Sequence, residues 1–175
     1  MREHDDERPR TGAGSAALNP AGIQVREDDL RGPEIAALLS VHLEHAAKHS
    51  PPESVHALDL DRLRSPGITF WTAWSEGELL GCAALRELTP EHGEIKSMHT
   101  AAAHRGKGVA AKLVAHLLAE AKARGYRRVS LETGSVDGFA PARALYARFG
   151  FEVCPPFAGY REDPYSVCMT LALDG

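Results

Sequence analysis

Arg105, Gly106, Lys107 and Gly108 put two cations and two glycines into four consecutive residues. Immediately after them Val109, Leu113, Leu117 and Ala121 recur at i, i+4, i+8 and i+12, with Ala110, Val114 and Leu118 alongside. That is the apolar stripe of an amphipathic helix. A helix N-terminus leaves several backbone N–H groups unpaired and carries partial positive charge. Glycines let the backbone approach a ligand closely, and Arg105 and Lys107 add full charges, so the turn is suited to hold phosphate. It is not a Walker loop and it lacks the three-glycine dinucleotide fingerprint. Taken alone, it also reads as a tight turn that merely starts a helix.

The spacing Arg105-x-x-Gly108-x-Ala110 resembles the acetyl-CoA signature of the GNAT N-acetyltransferase superfamily, Arg/Gln-x-x-Gly-x-Gly/Ala. A second stretch, Ala142-Arg143-Ala144-Leu145-Tyr146-Ala147-Arg148-Phe149-Gly150-Phe151, resembles the family's Ala-x-x-Leu-Tyr-x-x-x-Gly-Phe segment, in which a helix leads into a strand. The two motifs come in the family's order with a strand between them, and the resemblance covers roughly residues 22–173. The stretch from Ser50 to Asp59, taken with Leu131-Glu132-Thr133-Gly134-Ser135, looks like a bacterial subgroup of acetyltransferases.

The resemblance implies an α/β (α+β) GNAT fold, with a central mixed, mostly antiparallel sheet of about six to seven strands flanked by helices. It implies acetyl-CoA as co-substrate and no metal. Arg105, Gly106, Lys107, Gly108, Val109 and Ala110 would hold the pyrophosphate. Positions matching Met98 and Thr100 would pair with the pantetheine arm, and a backbone N–H near Thr100 would polarise the thioester carbonyl. Tyr146 matches the family tyrosine that protonates the departing thiolate; its other reading is a core aromatic whose hydroxyl is merely satisfied. Many members carry Asn seven residues before that tyrosine, where this chain has Phe139, so the donor contact there differs and Thr133 or Ser135 is a candidate to replace it. Ala102 stands where proline is frequent.

An ammonium acceptor must lose a proton before its nitrogen can attack, and a carboxylate or neutral histidine can take it. Glu94 lies eleven residues before Arg105, where many members carry a glutamate for this purpose; it also reads as an edge-strand carboxylate facing solvent. His99 is a second candidate base. Glu132 either lines the acceptor pocket or ends a strand in solvent. His42, His45 and His49 share a helical face, but no Cys or His-Glu pair nearby completes a metal-ligand set. In proteins of this resemblance the early helix and loop wall the acceptor site, which makes these histidines, Ser54, His56, Trp71 and Trp74 acceptor-side candidates; the tryptophans also read as core. Cys154 would need an activating histidine to carry an acetyl group, and none is placed by sequence; it reads as a small apolar thiol.

Several elements must position these residues. Residues 22–26 alternate as a first strand. Pro33 opens a helix with Ile35, Leu38, Leu39, His42, Leu43 and Ala46 inward, ended by Pro51-Pro52. A short helix is expected near residues 60–64. Residues 68–74 and 79–88 are β-rich runs joined by Ser75-Glu76-Gly77-Glu78, a hairpin signature, and residues 94–100 continue the meander. A strand at residues 128–132 follows the central helix. Pro141 suits the first turn of another helix, Gly150 ends it, and residues 151–153 and 166–173 supply the last strands.

The chain of 175 residues fits one domain with a sizeable core. Residues 1–20, charged and then Gly/Ala/Ser-rich, read as a flexible tail ahead of a single domain over residues 21–175. A net charge of -4 and scattered basic residues argue against a nucleic-acid partner. No apolar run approaches the ~20 residues that span a bilayer, so no membrane partner is expected. The absence of a signal-peptide core and the odd count of three cysteines suit the cytoplasm. A homodimer is open, since dimers are common among proteins of this resemblance. The expected activity is direct transfer of acetyl to a primary amine of a small molecule in a ternary complex. A protein or peptide N-acetyltransferase and a non-catalytic acyl-CoA-binding module remain open alternatives.

Overall fold

The computed structural model describes residues 18–174. Seven strands, β1 (Gln24–Glu27), β2 (Ile68–Ser75), β3 (Glu78–Thr89), β4 (His92–Thr100), β5 (Arg128–Gly134), β6 (Glu152–Cys154) and β7 (Ser166–Ala172), form one sheet in the order β1-β2-β3-β4-β5-β7-β6. Neighbours pair antiparallel except β4 with β5, which run parallel. Four helices flank it: α1 (Pro33–His49), α2 (Leu60–Leu63), α3 (Val109–Ala123) and α4 (Ala140–Arg148). Among the described residues no helix is long and apolar enough to cross a membrane.

The sheet faces divide the core in two. On one face Leu113, Val114, Leu117 and Ala121 of α3 pack with Leu80, Leu85, Ile95, Val129 and Leu131. Leu113 and Leu117 are fully buried, which stabilises the fold by roughly 1.5–3 kcal/mol each. On the other face Ile35, Leu38 and Leu39 of α1 and Leu63 of α2 cover Phe70, Cys82 and Ala84. The β2–β3 turn has Glu76 and Gly77 both at positive φ, the turn whose twist matches a two-residue hairpin. Leu18 packs against the α3-side core, and Asn19 Oδ1 accepts the Ala21 N–H at 3.0 Å. Leu18 of the expected tail thus packs on the core while Asn19 and Pro20 are exposed, and residues 1–17 lie outside the described residues.

Two irregularities in β4 position everything that follows. First, β4 and β5 stay in register only from His92 opposite Arg128 to Ile95 opposite Leu131, so from Lys96 and Glu132 onward the strands part. Second, the β3–β4 register shifts between Cys82 opposite His99 and Ala84 opposite Lys96, and Ser97 sits at φ 53°. An extra residue here is a β-bulge, which leaves the ladder locally unpaired and re-aims side chains. In a regular strand Glu94 and His99 would face opposite sides, because side chains alternate. The bulge brings Glu94, Lys96 and His99 to the α1 face and leaves Ile95 and Met98 on the α3 face.

Candidate active site

A cleft of about 610 Å³ opens where β4 and β5 part. It runs from the start of α3 to the end of α1 and takes lining from both strands.

At one end lies the glycine-rich turn. Arg105, Gly106, Gly108, Val109 and Ala110 all line the cleft; Lys107 is outside the lining. Gly106 and Gly108 have φ of 71° and 83°, values that a side chain strains against. Gly108 is the N-cap of α3 and has no side-chain cap, while its carbonyl accepts the Lys112 N–H at 3.0 Å. The N–H groups of the first turn therefore have no side-chain acceptor from the cap, the arrangement that attracts an anion.

Along the middle, Met98 and Thr100 of β4 face Thr133, Phe139 and Tyr146 across the cleft. A Cβ at Gly134 would lie 2.0 Å from the Phe139 ring, so that ring rests against bare backbone at the end of β5. Tyr146, 5% exposed, packs against Phe151 with ring centroids 5.8 Å apart. Burial pushes its phenol above the usual tyrosine range, which keeps it protonated, the form a general acid needs.

At the far end α1 supplies a histidine wall. His42 Nδ1 and His99 Nδ1 are 3.2 Å apart, so one donates and the other accepts. His99 Nε2 is buried without a partner. Burial, then neighbouring cationic or imidazole groups, lower His42 to about 4 and His99 to about 3. Both are uncharged at neutral pH. With Nδ1 shared with His42 and Nε2 buried, His99 holds an added proton only weakly. His45 and His49 stand edge-on to Phe139, with centroids at 5.2 and 5.8 Å.

Glu94 is 1% exposed and does not line the cleft. Lys96 Nζ donates to Glu94 Oε1 at 3.2 Å and to the Tyr160 hydroxyl at 2.8 Å, and that hydroxyl donates to Glu94 Oε1. Arg86 approaches at 4.0 Å. The glutamate is neither the solvated edge carboxylate nor an open base; it is the acceptor of a closed network. Lys96 itself reaches the cleft. Glu132 also lines it, with Oε1 accepting from Ser166 Oγ at 2.6 Å. Burial raises its carboxyl to about 7, opposed by the Ser166 hydrogen bond and by Lys96.

Sequence reading missed Lys96 and Tyr160. Lys96 could have been found as the cation two residues from Glu94 on one strand face. Tyr160 lies in a loop without periodicity, and no local signal marks it. Ser54 and His56 line the cleft; Trp71 and Trp74 do not. Trp71 is core, and Trp74 donates its Nε1–H to Thr72 at 2.8 Å under Arg26. Cys154 faces Cys168 across β6 and β7, and burial raises both thiols, which makes them poor nucleophiles. Among the described residues no group of three or more His, Cys, Asp or Glu is arranged to hold a metal.

The profile of the acetyltransferase (GNAT) family matches residues 34–151. The "Uncharacterized N-acetyltransferase YsnE" of Bacillus subtilis (strain 168) is 54% identical over 151 residues, covering 86% of this chain and 100% of that protein. A solved Klebsiella pneumoniae structure is 28% identical with a TM-score of 0.72, over 88% of this chain and 99% of the other. A GNAT family acetyltransferase from Elizabethkingia anophelis, solved with acetyl-CoA bound, is 19% identical with a TM-score of 0.65, over 87% of this chain and 99% of the other; at that identity it speaks for the fold. The glycine-rich turn, the parted strands and these likenesses agree, and the chain belongs to the GNAT acetyltransferase family, an acyltransferase.

Proposed function

We propose that the protein transfers acetyl from acetyl-CoA directly to a primary amine of a small molecule, with both substrates bound together. The observation that carries this reading is the continuity of the cleft. One space joins an anion-attracting turn at the start of α3 to a half-buried polar end walled by α1. The donor's pyrophosphate fits the turn at residues 105–110, and its extended arm fits the gap along Met98 and Thr100. Tyr146 supplies the proton for the departing thiolate. Most of the remaining acceleration comes from holding two substrates in line in a site that excludes water.

A small acceptor suits the far end. Its walls are uncharged imidazoles, Ser54, His56 and Lys96, and the carboxyl of Glu132 is at hand for an ammonium. The Elizabethkingia neighbour's acetyl-CoA supports the donor assignment. The test is release of free CoA from acetyl-CoA against amines, amino acids, polyamines, aminoglycosides and peptides, with the background of the three thiols subtracted. Turnover on a small amine at least tenfold above that on peptides is expected. Turnover confined to peptides overturns the small-molecule reading; silence on the whole panel overturns the transferase mechanism.

A further inference from the structure

We propose that Glu132, with Ser166 as its positioning residue, accepts the proton that the acceptor's ammonium group must shed before attack. This rests on the reading of the cleft as an amine acetylation site. Three groups are near enough in kind to serve as the base, and their surroundings separate them. Glu94 is walled off, its Oε1 receiving both Lys96 and Tyr160. His99 has Nδ1 engaged with His42 and Nε2 sealed in protein. His99 and Glu132 both line the cleft, and Glu132 alone of the three brings a carboxyl to it.

Its place follows from register. Leu131 opposite Ile95 is the last β4–β5 pair, so Glu132 and Lys96 are the first residues across the opening. Ser130 pairs with Glu94 and its hydroxyl meets His92 Nε2 at 2.8 Å, which puts Ser130, and two residues on Glu132, on the α1 face. That is the face of the histidine wall. On β7, Cys168 lies opposite Glu132, and Ser166 Oγ fixes Oε1 at 2.6 Å, leaving Oε2 for the substrate. The charged groups around the carboxyl are Lys96 and Glu94 from β4 and Asp163 from the loop before β7. Burial outweighs the Ser166 bond and Lys96 and brings the carboxyl to about 7, the range in which a base is both ionised and able to hold a proton.

The step balances. One N–H proton of the ammonium passes to Glu132 and frees the lone pair. The nitrogen forms a bond to the thioester carbonyl carbon, and the C–S bond breaks on collapse. The thiolate takes a proton from Tyr146, the nitrogen's second proton leaves as the bond breaks and replaces the one that Tyr146 gave, by way of solvent, and Glu132 releases its own proton to solvent, one per acetyl transferred.

The experiment compares wild type with Glu132→Gln, Glu132→Asp and Glu94→Gln on whichever panel amine wild type acetylates. Glu132→Gln keeps a group that can accept from Ser166, so the fold is spared. Its kcat/KM should fall about 100-fold or more with acetyl-CoA Kd within about twofold. The acid limb of the wild-type pH profile, with midpoint about 7, should vanish in that variant and persist in Glu94→Gln, and Glu132→Asp should recover part of the rate. Carbon NMR of ¹³C-labelled glutamate should show one carboxyl titrating near neutrality that is missing from Glu132→Gln. Wild-type kcat/KM and pH profile in Glu132→Gln, or titration of Glu132 in the ordinary carboxylate range, would overturn the assignment alone. Failure of wild type to acetylate any amine would overturn the function beneath it as well.

Discussion

Lys96 Nζ stands 3.2 Å from Glu94 Oε1, and the two side chains, two positions apart on β4, are 7% and 1% exposed. A pair this deep stabilises little relative to an apolar pair of the same shape, yet breaking it from one side strands the other charge in a low-dielectric interior. Lys96→Met should therefore destabilise the fold by about 3 kcal/mol or more, and adding Glu94→Gln to it should restore much of the loss. Denaturant unfolding of the two single variants and the double variant measures this. A cost below about 1 kcal/mol for Lys96→Met would mean that water reaches the carboxylate.

The His42–His99 contact makes stability fall in acid. Both imidazoles titrate below the usual value of 6.5 in the folded chain, at about 4 and about 3. A depressed histidine binds fewer protons folded than unfolded, so its contribution is present above 6.5 and is lost as pH falls toward the folded values. Each imidazole becomes protonated between pH 7 and 5 in the unfolded chain while the folded pair takes up almost no proton, so roughly 2 kcal/mol per histidine, about 4 kcal/mol in all, should disappear across that range. Thermal unfolding across that range tests it, with His42→Leu as comparison. That variant should be less stable at pH 7 and show a shallower acid slope. An unchanged slope would remove the pair as the cause.

The elements were legible because each carried its own punctuation. Pro33 and Pro51 bracket α1, Glu76 and Gly77 mark the hairpin, and the period from Val109 to Ala121 marks α3. The glycine-rich turn was legible for the same reason, since glycine at positive φ is a local requirement. The bulge at Ser97 was not. Serine is an ordinary strand residue, and its φ of 53° falls where the β3–β4 register shifts and Ser97 has no β3 partner. Simple alternation would separate Glu94 from His99, and only the bulge unites them on one face. The lid of the Glu94 network was hidden for another reason. Tyr160 comes from a loop 66 residues away, and long-range contact leaves no trace in local spacing.

Gly108→Val should weaken acetyl-CoA binding at least tenfold. At φ 83° a β-branched residue is strained by about 1–2 kcal/mol, and relief of that strain turns the first N–H groups of α3 away from the anion they would hold. Calorimetric titration with acetyl-CoA reads the affinity, and unfolding by denaturant reads the strain. A variant as destabilised as expected but binding normally would detach the turn from the donor site.

Tyr146→Phe separates chemistry from packing. The ring packs against Phe151, and phenylalanine keeps that contact while deleting only the hydroxyl. Burial holds the phenol protonated well above the usual range, so the hydroxyl has a proton to give at every pH where the fold persists. Without it the thiolate must leave unprotonated or wait for water. Turnover should fall at least tenfold, with acetyl-CoA Kd within about twofold of wild type, because the loss then falls on the transition state and not on ground-state binding. A pre-steady-state burst of acetylated product in wild type would show that product release limits its turnover, and single-turnover rates would then carry the comparison. An equal fall in rate and affinity would instead make Tyr146 a wall of the cleft and leave the departing thiolate to take its proton elsewhere.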